Sequence, residues 1–459
     1  MKDPLLLPEL RELLSNNDVE GLKKFCQAGH PTAIADFLSA LTPPEIRRVL
    51  GVLDPPKRAE IFSNLDEEVQ NELVRELPRR ELADIFTHMP HDERAQLFQR
   101  LSEEEKASLL PALAQAERED IKKLSSYEPG TAGAVMTSDY ATLSPDLTAD
   151  EAIRKLRHEA PDKETIYYAY VVDDKRRLLG IVSLKDLILA PPNKKISEIM
   201  STDIIYARVD EDQEEAARKI SKYDLIAIPV INGDDALVGI ITHDDAIDII
   251  NQEHTEDMEK FMAIAGKHSV GAYLRTPAFR HFRNRAGWIV GLAVAGFVSG
   301  AIIQSFEDTL RSLVILALYM PMIADTGGNT GSQAATVVIQ ALARGEISLR
   351  DFGKVLFKEF QVSLLLAVAV AAVSYIKVVF ISQDATVPPE FTLAQIAGVI
   401  AIALALQVVT ATLTGALLPM LAVRFDKDPA VVASPAITTL VDITGLLIYF
   451  YCARLFLGV

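Results

Sequence analysis

The chain has 459 residues, enough for three domains of ordinary size. Its formal charge of −17 is unevenly placed: residues 1–274 hold 33 Lys+Arg and 52 Asp+Glu, a balance of −19, whereas residues 275–459 hold 13 and 11, a balance of +2. An acidic region repels nucleic acid, which argues against such a partner, and two cysteines in different regions, Cys26 and Cys452, support neither a disulfide framework nor a Cys-based metal site.

Met1-Lys-Asp-Pro lacks a long apolar core and has Glu9, Arg11 and Glu12 close behind, so no cleaved signal peptide is expected. Residues 1–130 read as a helical N domain built on a 12-residue repeat. Thr42, Asp54, Asp66, Pro78, Pro90 and Ser102 fall 12 apart, as do Leu53, Leu65, Leu77, Met89, Leu101 and Leu113. Each unit opens on a cap residue or Pro with charges behind it and closes on an apolar pair such as Phe62/Leu65 or Phe98/Leu101. Ser, Thr and Asp suit a helix N-cap; Pro and acids suit the first turn. Helices this short do not stand alone, so six of them are expected to stack into a superhelix. Most of the repeat's acids read as a solvated face, and Asp92 and Glu93 at the start of the fifth unit are kept as candidates.

Residues 131–192 and 193–252 are two copies of one unit. Ala134-Val-Met-Thr-Ser-Asp matches Glu198-Ile-Met-Ser-Thr-Asp, Ala149-Asp-Glu-Ala-Ile-Arg-Lys-Leu matches Gln213-Glu-Glu-Ala-Ala-Arg-Lys-Ile, and Leu179-Gly-Ile-Val-Ser matches Val238-Gly-Ile-Ile-Thr. Amphipathic helix, short strand, turn, and a strand running into a helix follow in that order in each. The pair looks like tandem CBS domains, small regulatory modules that pair pseudo-symmetrically. In that family the Gly-Ile-Val/Ile-Ser/Thr-x-x-Asp ending often holds a nucleotide, the Asp on ribose and the hydroxyl on phosphate. Here those positions are Ser183/Asp186 and Thr242/Asp245, and the ligand would be ATP or another adenine nucleotide. Ahead of that stands the simpler expectation that Ser183 and Thr242 cap the helices that follow them.

The second copy and the stretch behind it are dense in acids: Asp212, Glu214 and Asp224, then Asp244, Asp245 and Asp248, then Glu253, Glu256 and Asp257. Asp244/Asp248 and Glu253/Asp257 are four apart and share a helix face, where like charges repel. Oxygen-only clusters suit Mg2+ or Ca2+. Any one pair is ordinary surface; the density from Asp210 to Asp257 favours a divalent-cation sensor.

Residues 253–285 read as a linker whose helix, Glu253 to Ala265, leaves the second copy. Residues 286–459 read as five membrane spans, at about 286–306, 310–342, 355–380, 393–423 and 434–456. Arg275, Arg280, Arg283 and Arg285, then Arg344, Arg350, Lys354 and Lys358, then Arg424 and Lys427 cluster on alternate connections. The positive-inside rule then predicts a multi-pass protein of the cell (inner) membrane with a cytoplasmic N-terminus and an external C-terminus. The second span carries Pro321-Met-Ile-Ala-Asp-Thr-Gly-Gly-Asn-Thr-Gly-Ser-Gln. Its Gly and Pro are expected to loosen the helix, and freed backbone groups are tolerated only against protein or a water-filled cavity. Asp325 and Asn329, four apart, favour a polar pore wall over packing alone. Asp442 is the one carboxylate of the last span. Placing it at the bilayer centre costs at least ~2.5 kcal/mol, which favours an ion pathway over a buried structural role.

Ala324-Asp-Thr-Gly-Gly-Asn-Thr-Gly-Ser-Gln and Thr439-Leu-Val-Asp-Ile-Thr-Gly are the most specific stretches by which the chain, nearly end to end, resembles the MgtE family of magnesium channels or transporters. The resemblance implies a multi-domain α-helical membrane protein: a soluble N-terminal α-superhelix, tandem α/β CBS domains and five transmembrane helices. It implies a homodimer with the pore between subunits, lined mainly by the second and fifth spans, where Asp442 holds hydrated Mg2+. It also implies cytosolic Mg2+ sites on Asp212, Glu214 and Asp224, on Asp244, Asp245 and Asp248, and on Glu253, Glu256 and Asp257, with an N-domain partner at Asp92 or Glu93. Ser332 departs from the family motif, which often has Asn there. The implied mechanism is feedback: high cytosolic Mg2+ compacts the N and CBS domains, and the linker (plug) helix closes the pore. The alternative is an ion-coupled secondary transporter of divalent cations such as Mg2+, Co2+ or Mn2+, with Asp442 as coupling site. An enzyme is not expected, since no nucleophile–base pair, phosphate loop or His-rich site is apparent.

Overall fold

A computed structural model of the chain describes residues 6–266, 273, 276–383, 387–431 and 434–459. They form two compact units, one reaching to Glu253 and including Tyr273, the other beginning at His254.

In the first unit each of the six repeat caps is followed at once by a helix: Pro43–Gly51, Pro55–Ser63, Glu67–Glu76, Arg79–His88, His91–Arg100 and Glu103–Leu109. Gln115–Leu124 follows them. The cap chemistry is explicit at Ser102. Its Oγ accepts from the Glu105 amide at 3.3 Å, while Glu105 Oε2 accepts from the Ser102 amide at 2.7 Å. The apolar pair of each repeat turns inward, so Phe62, Leu65, Phe86, Met89, Phe98 and Leu101 share one core. That shared burial supplies what no ten-residue helix has alone.

The duplicated region folds as two sheets. β1 (Tyr140–Leu143), β2 (Thr165–Val172) and β3 (Leu178–Ser183) form the first; β4 (Ala207–Arg208), β5 (Ala227–Ile231) and β6 (Leu237–Thr242) form the second. In each, the first pair is parallel and the second antiparallel. The copies interlock: Thr137 bridges Ile240 and Ser201 bridges Ile181, so the entry segment of each copy pairs with the last strand of the other. The repeated glycines Gly180 and Gly239 have the repeated methionines Met200 and Met136 packed where a Cβ would stand.

The helix that leaves the second copy runs His243–Phe261 and ends in a turn at Ala263, whose φ is 59°. It therefore starts directly from β6, ten residues before the expected Glu253, and stops short of Ala265. Residues 267–272 and 274–275 of the expected linker, Arg275 among them, lie outside the described residues.

Five long helices follow: α1 (Ala278–Ser305), α2 (Met320–Ala343), α3 (Phe352–Ile381), α4 (Leu393–Arg424) and α5 (Ser434–Leu457). Among the described residues, the helices long and apolar enough to cross a membrane number four: α1, α3, α4 and α5. α2 has the length, at 24 residues, but its central Asp, Asn, Thr, Ser and Gln dilute its apolar character. The segment expected at 310–342 is not one helix, because the short α-helix Glu307–Ser312 and the 3-10 helix Val314–Tyr319 precede α2 separately. Pro321 sits in the first turn of α2, where a missing N–H disturbs nothing. α2 is also continuous through Gly327, Gly328 and Gly331, so the expected loosening does not occur. Those glycines are contact points instead. A Cβ on Gly331 would stand 3.2 Å from the Ala411 carbonyl oxygen of α4, and one on Gly328 would run into Thr438 of α5.

Candidate functional site

Asp442 lies half-buried on α5, and its Oδ1 is enclosed with no hydrogen-bond partner. The charged group it feels is Asp325 of α2. Asp325 and Asn329 are exposed, one turn apart on the same helix. A carboxylate from each of two adjoining apolar helices, one with an unpartnered oxygen, is a donor set that a cation would satisfy. Ser332 does not supply an amide, but its Oγ meets Ser434 Oγ at 2.9 Å and ties α2 to the start of α5. Gln407 of α4 was not foreseen: it is wholly buried and donates from Nε2 to the Val441 carbonyl at 2.8 Å.

The first unit brings Asp92 and Glu93 to the second CBS copy. Asp92 is 5% exposed. Burial above all, then the charges of Asp245, Glu93 and Glu164, hold its carboxyl well above the usual range. Glu93 is raised by burial and by Asp245 and Asp248, and its Oε2 has no hydrogen-bond partner. Asp245 is raised by burial and by Asp244 and Asp248; Asp248, at the open edge, is raised by burial and by Asp244. Glu164, before β2, keeps contact with solvent yet is pushed up to about 7 by partial burial and by Asp245, Asp244, Asp139 and Glu93. Nothing in the sequence marks Glu164; only folding brings it to the cluster.

Beside these acids stands a different junction. His91 Nδ1 lies 3.0 Å from Asp120 Oδ2 and its Nε2 lies 3.1 Å from Asp139 Oδ2, while the buried Arg94 reaches Asp120 at 3.0 Å. Burial opposes ionisation of Asp120, but His91, Ser138 and Arg94 outweigh it and hold the carboxyl at about 2. His91 thus joins the N-domain helices to Ser138 and Asp139 of the first CBS copy, while Asp92 and Glu93 face the acids of the second.

The remaining candidates are engaged locally. Asp212 Oδ1 accepts from the Glu214 amide at 2.8 Å as a helix cap, and Glu214 pairs with Arg218 at 2.6 Å. Asp224 sits exposed in a turn with φ of 52°. Glu253 accepts from Gln213 at 2.6 Å. In the second unit Glu256 pairs with Lys260 at 2.8 Å, and Lys260 also reaches Asp428 at 2.7 Å; Asp257 lies on the same helix. Burial pulls the Lys260 ammonium down, but Asp428 and Glu256 outweigh it and raise it. The next residue, Phe261, packs against Ala335 and Ile339 of α2, Ala411 of α4 and Val441 of α5. Among the described residues no three His, Cys, Asp or Glu side chains converge as a preformed cage. The first CBS ending is capped, Ser183 Oγ accepting from the Asp186 amide at 3.0 Å; at the second, Thr242 Oγ1 instead donates to the Asp245 carboxylate.

The chain matches the family model of MgtE, a divalent cation transporter, over residues 320–452, that of the MgtE intracellular N domain over 29–130, and that of the CBS domain over 132–193 and 196–252. It is 41% identical over 340 residues to the magnesium transporter MgtE of Thermus thermophilus, spanning 74% of this chain and 73% of that one. It is 36% identical over 338 residues to the magnesium transporter MgtE of Bacillus subtilis, spanning 73% and 72%. Among solved structures it is similar to the cytosolic domain of the Mg2+ channel MgtE in complex with ATP, at 36% identity and a TM-score of 0.51, over 53% of this chain and 100% of that one.

Proposed function

The chain belongs to the MgtE family of magnesium transporters, and on that premise we propose a Mg2+-selective channel for magnesium uptake, gated by cytosolic Mg2+. The observation that carries this reading is the enclosed, unpartnered Asp442 Oδ1 on α5, with Asp325 of the adjoining α2 near enough to be felt electrostatically. Mg2+ dehydrates reluctantly, so carboxylates here hold it through its water shell. In a homodimer, two copies of Asp442 double the charge that the ion meets. All five helices cross the membrane, with the N-terminus in the cytoplasm and the C-terminus outside. α2 crosses despite its polarity because that face lines the water-filled path rather than lipid.

Gating uses the acids of the first unit. With little Mg2+, Asp92, Glu93 and Glu164 repel Asp244, Asp245 and Asp248; ions set among them offset the repulsion and hold the N domain on the CBS pair. The unpartnered Glu93 Oε2 fits such a role. Asp244, Asp245 and Asp248 lie on the helix His243–Phe261, which also carries Lys260 and Phe261. A second group of sites, on Asp212, Glu214 and Asp224 and on Glu253, Glu256 and Asp257, takes Mg2+ in exchange for Arg218 and Lys260. An adenine nucleotide at Ser183/Asp186 or Thr242/Asp245 is a further regulator, and at the second position it competes with the acidic cluster for Asp245.

Flux measurements in proteoliposomes test the channel. Uptake is expected to follow the Mg2+ gradient after proton and sodium gradients are collapsed; uptake that stops on collapse points to coupled transport through Asp442.

A further inference from the structure

Gln407 is the one wholly buried carboxamide of the second unit among the described residues. It stands on α4 where α2 and α5 come together. Its Nε2 donates to the Val441 carbonyl at 2.8 Å, and Thr444 Oγ1 donates to the same oxygen at 3.0 Å. That carbonyl shares a rigid peptide plane with the amide of Asp442. The two side-chain bonds therefore add a hold, from α4 and from within α5, on the peptide from which the Asp442 side chain departs.

The surroundings are built for this contact. Gly327 of α2 and Gly445 of α5 both face the carboxamide, and a Cβ on either would run into Gln407 Nε2. These glycines belong to the two most specific stretches of the chain, Thr326-Gly-Gly-Asn and Asp442-Ile-Thr-Gly. Gln407 Oε1, by contrast, has no partner. A residue kept only to fill space would be better served by Leu, which fills a similar volume and leaves no acceptor unpaired. What Leu lacks is the donor to Val441.

We propose that Gln407 is the positioning residue of Asp442 and, through it, sets which divalent cation the pathway prefers. This rests on reading Asp442 as the ion-binding carboxylate. Groups that orient a ligand without touching the ion shift metal affinity by ~10–100-fold when removed.

The test compares the full chain, Gln407→Leu and Asp442→Asn in proteoliposomes, reading initial flux against Mg2+ and Ca2+ concentration. Gln407→Leu is expected to raise the half-saturating Mg2+ concentration by ~10-fold or more and to lower the Mg2+-to-Ca2+ flux ratio by a similar factor. The half-saturating concentration should change more than maximal flux. Wild-type half-saturation and flux ratio in a folded Gln407→Leu protein overturn the proposal. Should that variant not fold, Gly445→Ala drives a methyl into the carboxamide while keeping Gln407, and unchanged selectivity there overturns it equally. Asp442→Asn separates the two levels. Wild-type transport in Asp442→Asn removes the pathway reading itself; a silent Asp442→Asn beside an unaltered Gln407→Leu removes only the positioning role.

Discussion

The carboxylates between the N domain and the CBS pair are held against their own charge. Asp92, Glu93, Glu164, Asp245 and Asp248 all titrate above their ordinary values, with Glu164 at about 7. Unfolded Asp and Glu titrate near ~3.9 and ~4.3. The folded unit thus binds more protons than the unfolded chain between about pH 4 and pH 7, and its stability falls as pH rises through that window. Asp120 has the opposite sign: held at about 2, it adds stability above the unfolded value and loses it only as pH drops toward 2. In divalent-free buffer, thermal unfolding of the first unit in the full chain is expected at a lower temperature at pH 7.5 than at pH 5.5. Mg2+ should remove the difference, and Glu164→Gln should reduce it. A transition that rises with pH without Mg2+ contradicts the cluster's assignment. Asp92 and Glu93 were candidates through the family resemblance, as acids that open the fifth repeat. Glu164 was not, since a lone acid in a loop has no local signature.

Short helices with local caps are the elements most readable in advance. Thr42, Asp54, Asp66, Pro78, Pro90 and Ser102 each stand immediately before an observed helix, although of the six Ser102 alone accepts an amide on its side chain; the preference of such residues for a helix start is set by a few neighbouring residues. What the repeat buries is equally specific: Phe86 is fully enclosed in the N-domain core. Phe86→Ala is expected to destabilise the first unit by about 3–5 kcal/mol in urea unfolding; a change below about 1 kcal/mol would mean the helices do not share a core. α2 was misread for the complementary reason. Glycine weakens a helix by itself, but Gly327, Gly328 and Gly331 face Gln407, Ala411 and Thr438, residues remote in sequence that no local rule reveals. Lys260 of the helix His243–Phe261 pairs with Glu256 and Asp428 within the second unit. That side chain is one-third exposed, so its pairs with Glu256 and Asp428 are together worth about 0.5–1 kcal/mol. Lys260→Ala should raise the Mg2+ concentration that half-inhibits flux by ~2–5-fold. An unaltered inhibition curve would leave the contact without a gating role.

For the molecule as a whole, the charge split of −19 against +2 already separates an acidic region from an apolar one, and the two compact units divide near the same place. Span number was less legible. α2 carries Asp, Asn, Thr, Ser and Gln at its centre and falls short of the apolar character that a rule written for lipid requires. If Mg2+ holds the acidic junction together, limited proteolysis of the full chain should cut within residues 1–274 more slowly at millimolar Mg2+ than in chelator. Equal cleavage argues against feedback. The conduit rests on Asp442. Mg2+, Ca2+, Mn2+ and Co2+ flux through purified wild type and Asp442→Ala in proteoliposomes is the most direct measurement. Mg2+ should enter through the wild type and fall by at least ~10-fold in the variant, as expected when an intramembrane functional carboxylate is removed. Mg2+ flux retained at the wild-type rate in Asp442→Ala would contradict the account.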